Sequence, residues 1–270
     1  MGDIHQSTRV PLRSRISFLV LGKGTLHADS HTLVLEDASG TTCIPCAQSS
    51  VLFLEPGVKV THAAVKLCAE HGTLLIWCGE AGVRVYAAGV TGGPSGTRIL
   101  EQAKLRLHKT SRIAVARRFH ERMFGKPPPA ALDIEKLRGV EGAWVRNKYG
   151  ELANQHDVEW LGRERMSKSF QDAIGYATST LYGLSEAVIL ACGYAPSIGF
   201  IHSGDRRSLV FDLADTVKFD TVMPIAFSIG ASGKNDIRSL VRRACRDYFR
   251  QSHLINRLFD NLEYALQPCD

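Results

Sequence analysis

The strongest constraint on the fold is a change of hydrophobic period at TGGPSGT, residues 91–97. Glycines, a proline and hydroxyl residues leave little to bury there, and the stretch reads as a linker. Before it, RISFLVL, TLVLE, TTCIPC, VLFLEPG, TLLIWCG and VRVYAAG are short and rich in Val, Leu and Ile, with turn residues between them. Those are strands. One helix interrupts them, THAAVKLCAEHG, with Thr61 as N-cap and Gly72 as terminator. Beyond the linker the apolar spacing becomes helical. RILEQAKLRLHKTSRIAVARRFHERMF predicts one helix of about seven turns, Arg98 to Phe124, stopped by the prolines at 127–129. Further helices are expected at 133–154, 168–192, 212–229, 235–251 and 253–266, with Pro224 kinking or shortening the one it falls in. GFIHS and SLVF predict a hairpin through Gly204-Asp205. The expected fold class is α+β. It has a small N-terminal β domain with one inserted helix (1–90), a linker (91–97) and a mostly α-helical domain (98–270).

Composition narrows the partners. Hydrophobic content of 44% and charged content of 22% over 270 residues describe an ordinary soluble globular chain with a sizeable core. LYGLSEAVILACGYAPSIGFI is broken by Ser185, Glu186 and the Gly193…Pro196 segment, so no membrane span is expected. MGDIHQSTRVPLRSR has no apolar signal region. The seven cysteines are scattered, and Cys43 with Cys46 is the only close pair. Zinc would require a second pair at suitable spacing. Thiols in a reducing cytoplasm are expected instead. A net charge of +6 makes an acidic partner such as nucleic acid plausible. GKGT at 22–25 lacks the first half of a Walker loop, so ATP use is not indicated.

Within IHSGDRRSLVFDLADTVKFD, residues 201–220, His202, Asp212, Asp215 and Asp220 sit among apolar residues. A buried carboxylate is costly unless it is paired, protonated or metal-bound. On a helix over 212–222, Asp212 and Asp215 share a face. Asp212 is also explained as an N-cap or first-turn carboxylate. Asp220 points elsewhere and reads as solvated or salt-bridged. Upstream, LRGVEGAWVR sets Glu141 between Gly139 and Gly142. Glycines in a helix interior cost about 1 kcal/mol each relative to alanine, and close approach of a backbone or ligand would account for them. Arg138 and Arg146 flank Glu141, so a plain salt-bridged face explains it equally well. One Glu, one His and one Asp form a mixed oxygen–nitrogen set suited to Mg²⁺ or Mn²⁺, the imidazole favouring Mn²⁺.

KNDIRSLVRRACRDYFRQ carries Arg238, Arg242, Arg246 and Arg250 at four-residue spacing, with Arg243 beside them. Such a row spans roughly 18 Å and could follow several phosphates without reading sequence. A solvated basic face is the plainer alternative.

Several of these motifs, in order, are familiar. RISFLVLGKGTL, LEPGVKVTHAAVKL, HGTLLIWCGEAGVRVYAAG, LRGVEGAWVR, GYAPSIGFIHSG and FDLADTVKFDTVMPIAF closely resemble the CRISPR-associated adaptation integrase, type I-E branch. The likeness runs from about residue 10 to residue 260. It implies a β domain followed by a helical catalytic domain. It implies a homodimer, two of which flank a dimer of a small second adaptation protein as a hetero-hexamer. The implied activity joins the 3′-hydroxyl ends of a captured short double-stranded DNA to the CRISPR repeat, with nuclease action on branched DNA, in the cytoplasm. The metal-site positions fall on Glu141, His202 and Asp215, and Asp212 matches a further acidic position of the site. Lys59, Arg84, Arg138, Arg146 and Arg242 match basic positions. Gly22-Lys23-Gly24 supplies no aromatic where the family caps the duplex, and the chain ends soon after its last helix. A catalytically idle DNA-binding scaffold and a general repair nuclease are the competing readings.

Overall fold

The computed structural model describes residues 19–49, 51–79, 85–89, 96–129 and 132–268, apart from the side chain of Arg250. The chain divides into two compact units, residues 1–95 and 96–270. Residues 15–18, 83–84 and 91–95 of the expected strands and linker lie outside the described residues.

The first unit holds β1 (Leu19–Leu21), β2 (Gly24–Asp29), β3 (Thr32–Asp37), β4 (Gly40–Ile44), β5 (Val51–Leu54), β6 (Val58–Val60), α1 (His62–His71), β7 (Leu74–Cys78) and β8 (Val85–Gly89). They form two four-stranded sheets, β1-β5-β7-β8 and β4-β3-β2-β6. Leu26, Leu33, Leu52, Leu54 and Leu75 bury themselves between these elements together with Ala64 and Leu67 of α1. The α1 caps follow the sequence. The Thr61 hydroxyl accepts the Ala64 N–H at 3.3 Å, and Gly72 takes the left-handed conformation at φ 66°. Sequence reading missed β2 and β6. It also ran one strand through TTCIPC, where Pro45 ends the ladder and Cys46–Gln48 form a 3-10 turn. Cys43 is exposed, and Cys46 lies 3.7 Å from Cys68 in the core, both as thiols.

The second unit comprises α2 (Thr97–Leu107), α3 (Lys109–Phe124), α4 (Ile134–Gln155), α5 (Lys168–Ala191), α6 (Ser208–Asp215), α7 (Val222–Ala231), α8 (Ile237–Gln251) and α9 (Leu254–Ala265). α5 is the central post: α6, α7, α8 and α9 pack around it, and Ile174, Leu181 and Val188 are at most 1% exposed. α4 packs on α3 and α7 but leaves Arg138, Gly139 and Val140 exposed.

Three expectations are corrected. The single helix from Arg98 to Phe124 is two, because His108 is extended (φ −81°, ψ 123°). Thr110 and Ser111, poor interior helix formers, stand in the first turn of the second. The hairpin of GFIHS and SLVF does not form. Residues 200–207 are turns, and SLVF opens α6. The amides of Phe200, Ile201 and His202 are satisfied by a side chain rather than by a neighbouring strand, as described below. The helix expected over 212–229 is α6 and α7 with turns between, and Pro224 sits in the first turn of α7, where an N–H is dispensable.

The glycines divide in the same way. A Cβ on Gly199 would stand 2.6 Å from Ser208 Cβ and 2.7 Å from the His202 carbonyl oxygen, whereas a Cβ on Gly139 would meet nothing within 4 Å. Among the described residues no backbone makes the close approach expected around Glu141: a Cβ on Gly142 would meet only the Arg146 guanidinium, at 3.7 Å. Gly199→Ala is expected to cost about 1–3 kcal/mol by overpacking, while Gly139→Ala gains up to about 1 kcal/mol from helix propensity. Chemical denaturation of the two variants checks both signs.

Candidate active site

Three segments bring Glu141, His202 and Asp215 together. Glu141 projects from α4, His202 from the turn after Phe200, and Asp215 from the last residue of α6. One ligand atom from each lies within 4.8 Å of the others. Donors about 2.1 Å from an octahedral ion stand about 3 to 4 Å apart, so small side-chain rotations suffice to bind one.

Asp212 is the anchor. Its carboxylate is fully buried and accepts the backbone N–H groups of Phe200 (2.6 Å), Ile201 (3.2 Å) and His202 (2.9 Å). It also lies 2.8 Å from His202 Nδ1. A carboxylate only accepts, so Nδ1 carries the hydrogen and Nε2 is left as the donor for an ion. Burial works against the His202 cation, but the Asp212 bond and charge outweigh it, with help from Asp215 and Glu141, and raise the His202 pKa above its ordinary value. The N-cap reading of Asp212 is corrected: α6 begins at Ser208, a full turn earlier.

The two ligand carboxyls differ. Burial pushes Asp215 above the ordinary carboxylate range, opposed by Lys218, whose Nζ is 3.3 Å from Asp215 Oδ1. Burial likewise works against the Lys218 ammonium, and Asp215 more than offsets it, so Lys218 is held above an ordinary lysine. Burial would raise Glu141 too, yet the hydrogen bond and charge of His120, then His202 and Arg138, keep it below its ordinary value. Arg112 Nε donates to the Phe200 carbonyl at 3.0 Å. Burial and the neighbouring cations Arg106 and Arg138 lower its pKa, against Asp212. Arg106, Lys109, Arg112 and Arg138 line an open cleft of about 540 Å³ together with Asp133 and Glu135.

A family model described as CRISPR associated protein Cas1 matches residues 18–126 and 122–243. The CRISPR-associated endonuclease Cas1 of Escherichia coli (strain K12) is 46% identical over 95% of this chain and 87% of its own length. This chain belongs to the Cas1 family. The corresponding Geobacter sulfurreducens endonuclease is 43% identical over 95% of this chain and 86% of its own. Among solved structures, a TtCas1–DNA complex superposes with a TM-score of 0.85 at 33% identity, covering 95% of this chain and 98% of that one. The resemblance to the type I-E adaptation integrase holds, as does the fold class of a β region followed by a mostly helical one.

The basic residues of this Cas1 chain fare differently. Arg138 and Arg146 are exposed on α4 beside Glu141, and Lys59 is exposed on β6; Arg84 lies outside the described residues. The row on α8 is not continuous. Arg238 and Arg243 are exposed and Arg246 sits 3.0 Å from Asp247, but Arg242 is only 8% exposed. Residues four apart drift about 40° per step around a helix with 3.6 residues per turn. Ile237, Val241, Cys245 and Phe249 form a buried row one position earlier with the same spacing, so the two rows run parallel and Arg242 borders the buried face. Asp220 is a surface partner of Arg257 at 2.6 Å. Sequence reading missed Lys218, His120 and Arg112. Lys218 was signalled by its place one turn beyond Asp215; nothing local points from His120 or Arg112 to the site.

In the metal-free protein the His202 ring is expected to titrate above an ordinary histidine, and Asp212→Asn to lower that value, as read by an NMR pH titration in EDTA. The raised folded pKa means the pair's stabilising contribution is full below the ordinary histidine pKa and is lost as pH rises through the folded value.

Proposed function

We propose that this Cas1 chain is a metal-dependent DNA integrase of CRISPR adaptation. It joins the 3′-hydroxyl ends of a captured short duplex to the CRISPR repeat by transesterification, and it also cleaves branched DNA. The observation that carries this reading is the convergence of Glu141, His202 and Asp215 within 4.8 Å, on a unit with basic side chains around it. The naming of its relatives as endonucleases, and the DNA in the TtCas1 complex, support the substrate class.

Two carboxylates and an imidazole, with no thiolate among them, fit Mg²⁺ or Mn²⁺. Glu141, His202 and Asp215 would hold the ion, which when bound supplies Lewis-acid stabilisation of phosphoryl charge and eases deprotonation of a hydroxyl. The remaining work falls to the protein. Asp212 keeps the His202 tautomer and ring orientation. Lys218 is a fixed cation beside the reacting centre, suited to a phosphate oxygen. Arg106, Lys109, Arg112 and Arg138 offer charge to a sugar–phosphate backbone, with Arg146, Arg238, Arg243 and Arg246 farther out and Lys59 and Arg84 in the β unit. The open space at Gly139 leaves room for such a backbone near Glu141.

In the reaction, the attacking 3′-oxygen forms a bond to phosphorus as the bond to the leaving 3′-oxygen breaks. The attacker gives up a proton and the leaving oxygen takes one, so one phosphodiester replaces another without ATP. The working assembly is a homodimer, paired around a small second adaptation protein as a hetero-hexamer, in the cytoplasm. No helix among the described residues is long and apolar enough to cross a membrane.

A strand-joining gel tests this: a labelled duplex with free 3′-hydroxyls, a supercoiled plasmid bearing the repeat, Mn²⁺ or EDTA, with and without the small partner. Joining should need metal and be abolished by Asp215→Ala, with duplex binding changed by no more than a few-fold. Binding without metal-dependent joining would favour an idle scaffold; joining that ignores partner and repeat would favour a general nuclease. Arg138→Gln should weaken binding and reduce the salt slope by about 1, as measured by fluorescence anisotropy from low to moderate salt.

A further inference from the structure

Glu141 is gripped by a residue outside every motif that marks the site. His120 lies on α3 and is 1% exposed. Its Nδ1 is 2.9 Å from the Ala116 carbonyl oxygen, and its Nε2 is 3.1 Å from Glu141 Oε2. A carbonyl oxygen and a carboxylate both only accept, so each ring nitrogen carries a hydrogen when both bonds are made. The ring is therefore tied at both nitrogens. The Phe124 ring packs beside it, with centroids 5.2 Å apart.

Among the described residues, His120 is the hydrogen-bond and ion-pair partner of the Glu141 side chain. The Glu141 helix is bare at Gly139, and Arg138 and Val140 next to it are exposed. The Glu141 side chain keeps 16% exposure. Fixing a flexible glutamate in one rotamer costs up to about 2 kcal/mol of conformational entropy. The contact with His120 meets that cost during folding, before any ion arrives. His202 is fixed in the same manner by Asp212, so both ligands are oriented by buried partners on other segments.

We propose that His120 is a positioning residue: by holding Glu141 through Nε2, it presents the carboxylate beside His202 and Asp215 and sets the affinity of the site for a divalent ion. This rests on the metal-site reading given above. Hydrogen-bond partners of metal ligands typically contribute about 10- to 100-fold in metal affinity. A purely structural histidine, pinning α4 to α3, would leave that affinity unchanged.

The test is Mn²⁺ binding to the full chain, read from the EPR signal of free Mn²⁺, for wild type, Asp215→Ala, His120→Leu and His120→Gln. Leucine fills space without a donor; the glutamine amide can donate from near the Nε2 position. His120→Leu should bind Mn²⁺ about 10- to 100-fold more weakly, and His120→Gln should recover most of the loss. The Mn²⁺ concentration for half-maximal strand joining should rise in parallel, with the rate at saturating Mn²⁺ largely restored. Wild-type affinity in a folded His120→Leu overturns the proposal. Equal weakening in both variants also overturns it, by assigning the effect to packing; if His120→Leu does not fold, His120→Met, which also lacks a donor, takes its place under the same criteria. If Mn²⁺ binding by the wild type is indifferent to Asp215→Ala, the metal site itself is wrong and this role falls with it. Asp215-dependent binding with no effect of His120 leaves the site standing and removes only the positioning role.

Discussion

The site depends on one buried carboxylate. Asp212 gathers three consecutive backbone amides and a ring nitrogen around its two oxygens. Each of those amides would cost about 1–3 kcal/mol if left buried and unpaired. The interaction fixes the backbone of the turn, the tautomer of His202 and the distance from the turn to α6. Asp215 follows three residues later, so one helix supplies both the anchor and a ligand. Gly199 completes the arrangement, since only a residue without a Cβ lets the turn lie against Ser208 at this distance.

The site is built in two layers of differing exposure. Glu141, Asp215 and His202 keep 16%, 15% and 33% of their side-chain surface, whereas His120 and Asp212 keep 1% and 0%. The buried pair is insulated from solvent, so its hydrogen bonds are strong and its geometry does not wander. The exposed set can reach a ligand. Like charge between Glu141 and Asp215, which raises the Asp215 carboxyl further, gives the metal-free site a reason to take up a cation.

Much of this was legible in the sequence, though unevenly. The switch from strands to helices and the Thr61 and Gly72 caps are local effects, and local residues announce them. Glu141, His202 and Asp215 were named through motifs, since spacing alone left each with a plainer explanation. The hairpin failed because GFIHS and SLVF are strand-like in composition, while the amides of Phe200, Ile201 and His202 go to the Asp212 carboxylate and SLVF is the first turn of α6. Arg242 misled because spacing along one helix gives the direction of a side chain and not what packs over it, and α8 lies against α5 and α7. His120 gave no signal: it meets Glu141 across the turn of prolines, through a contact between α3 and α4 that no periodicity encodes.

The proposed ligands come from positions 141, 202 and 215 on separate segments, and their supports from 120 and 212. A nascent chain still short of His202 therefore owns a single ligand, and even a finished chain owns no site until α3, α4 and α6 have docked. The proposed activity is thus withheld from unfolded forms of the protein and from any fragment that lacks one of these segments. Folding itself acts as the safety catch.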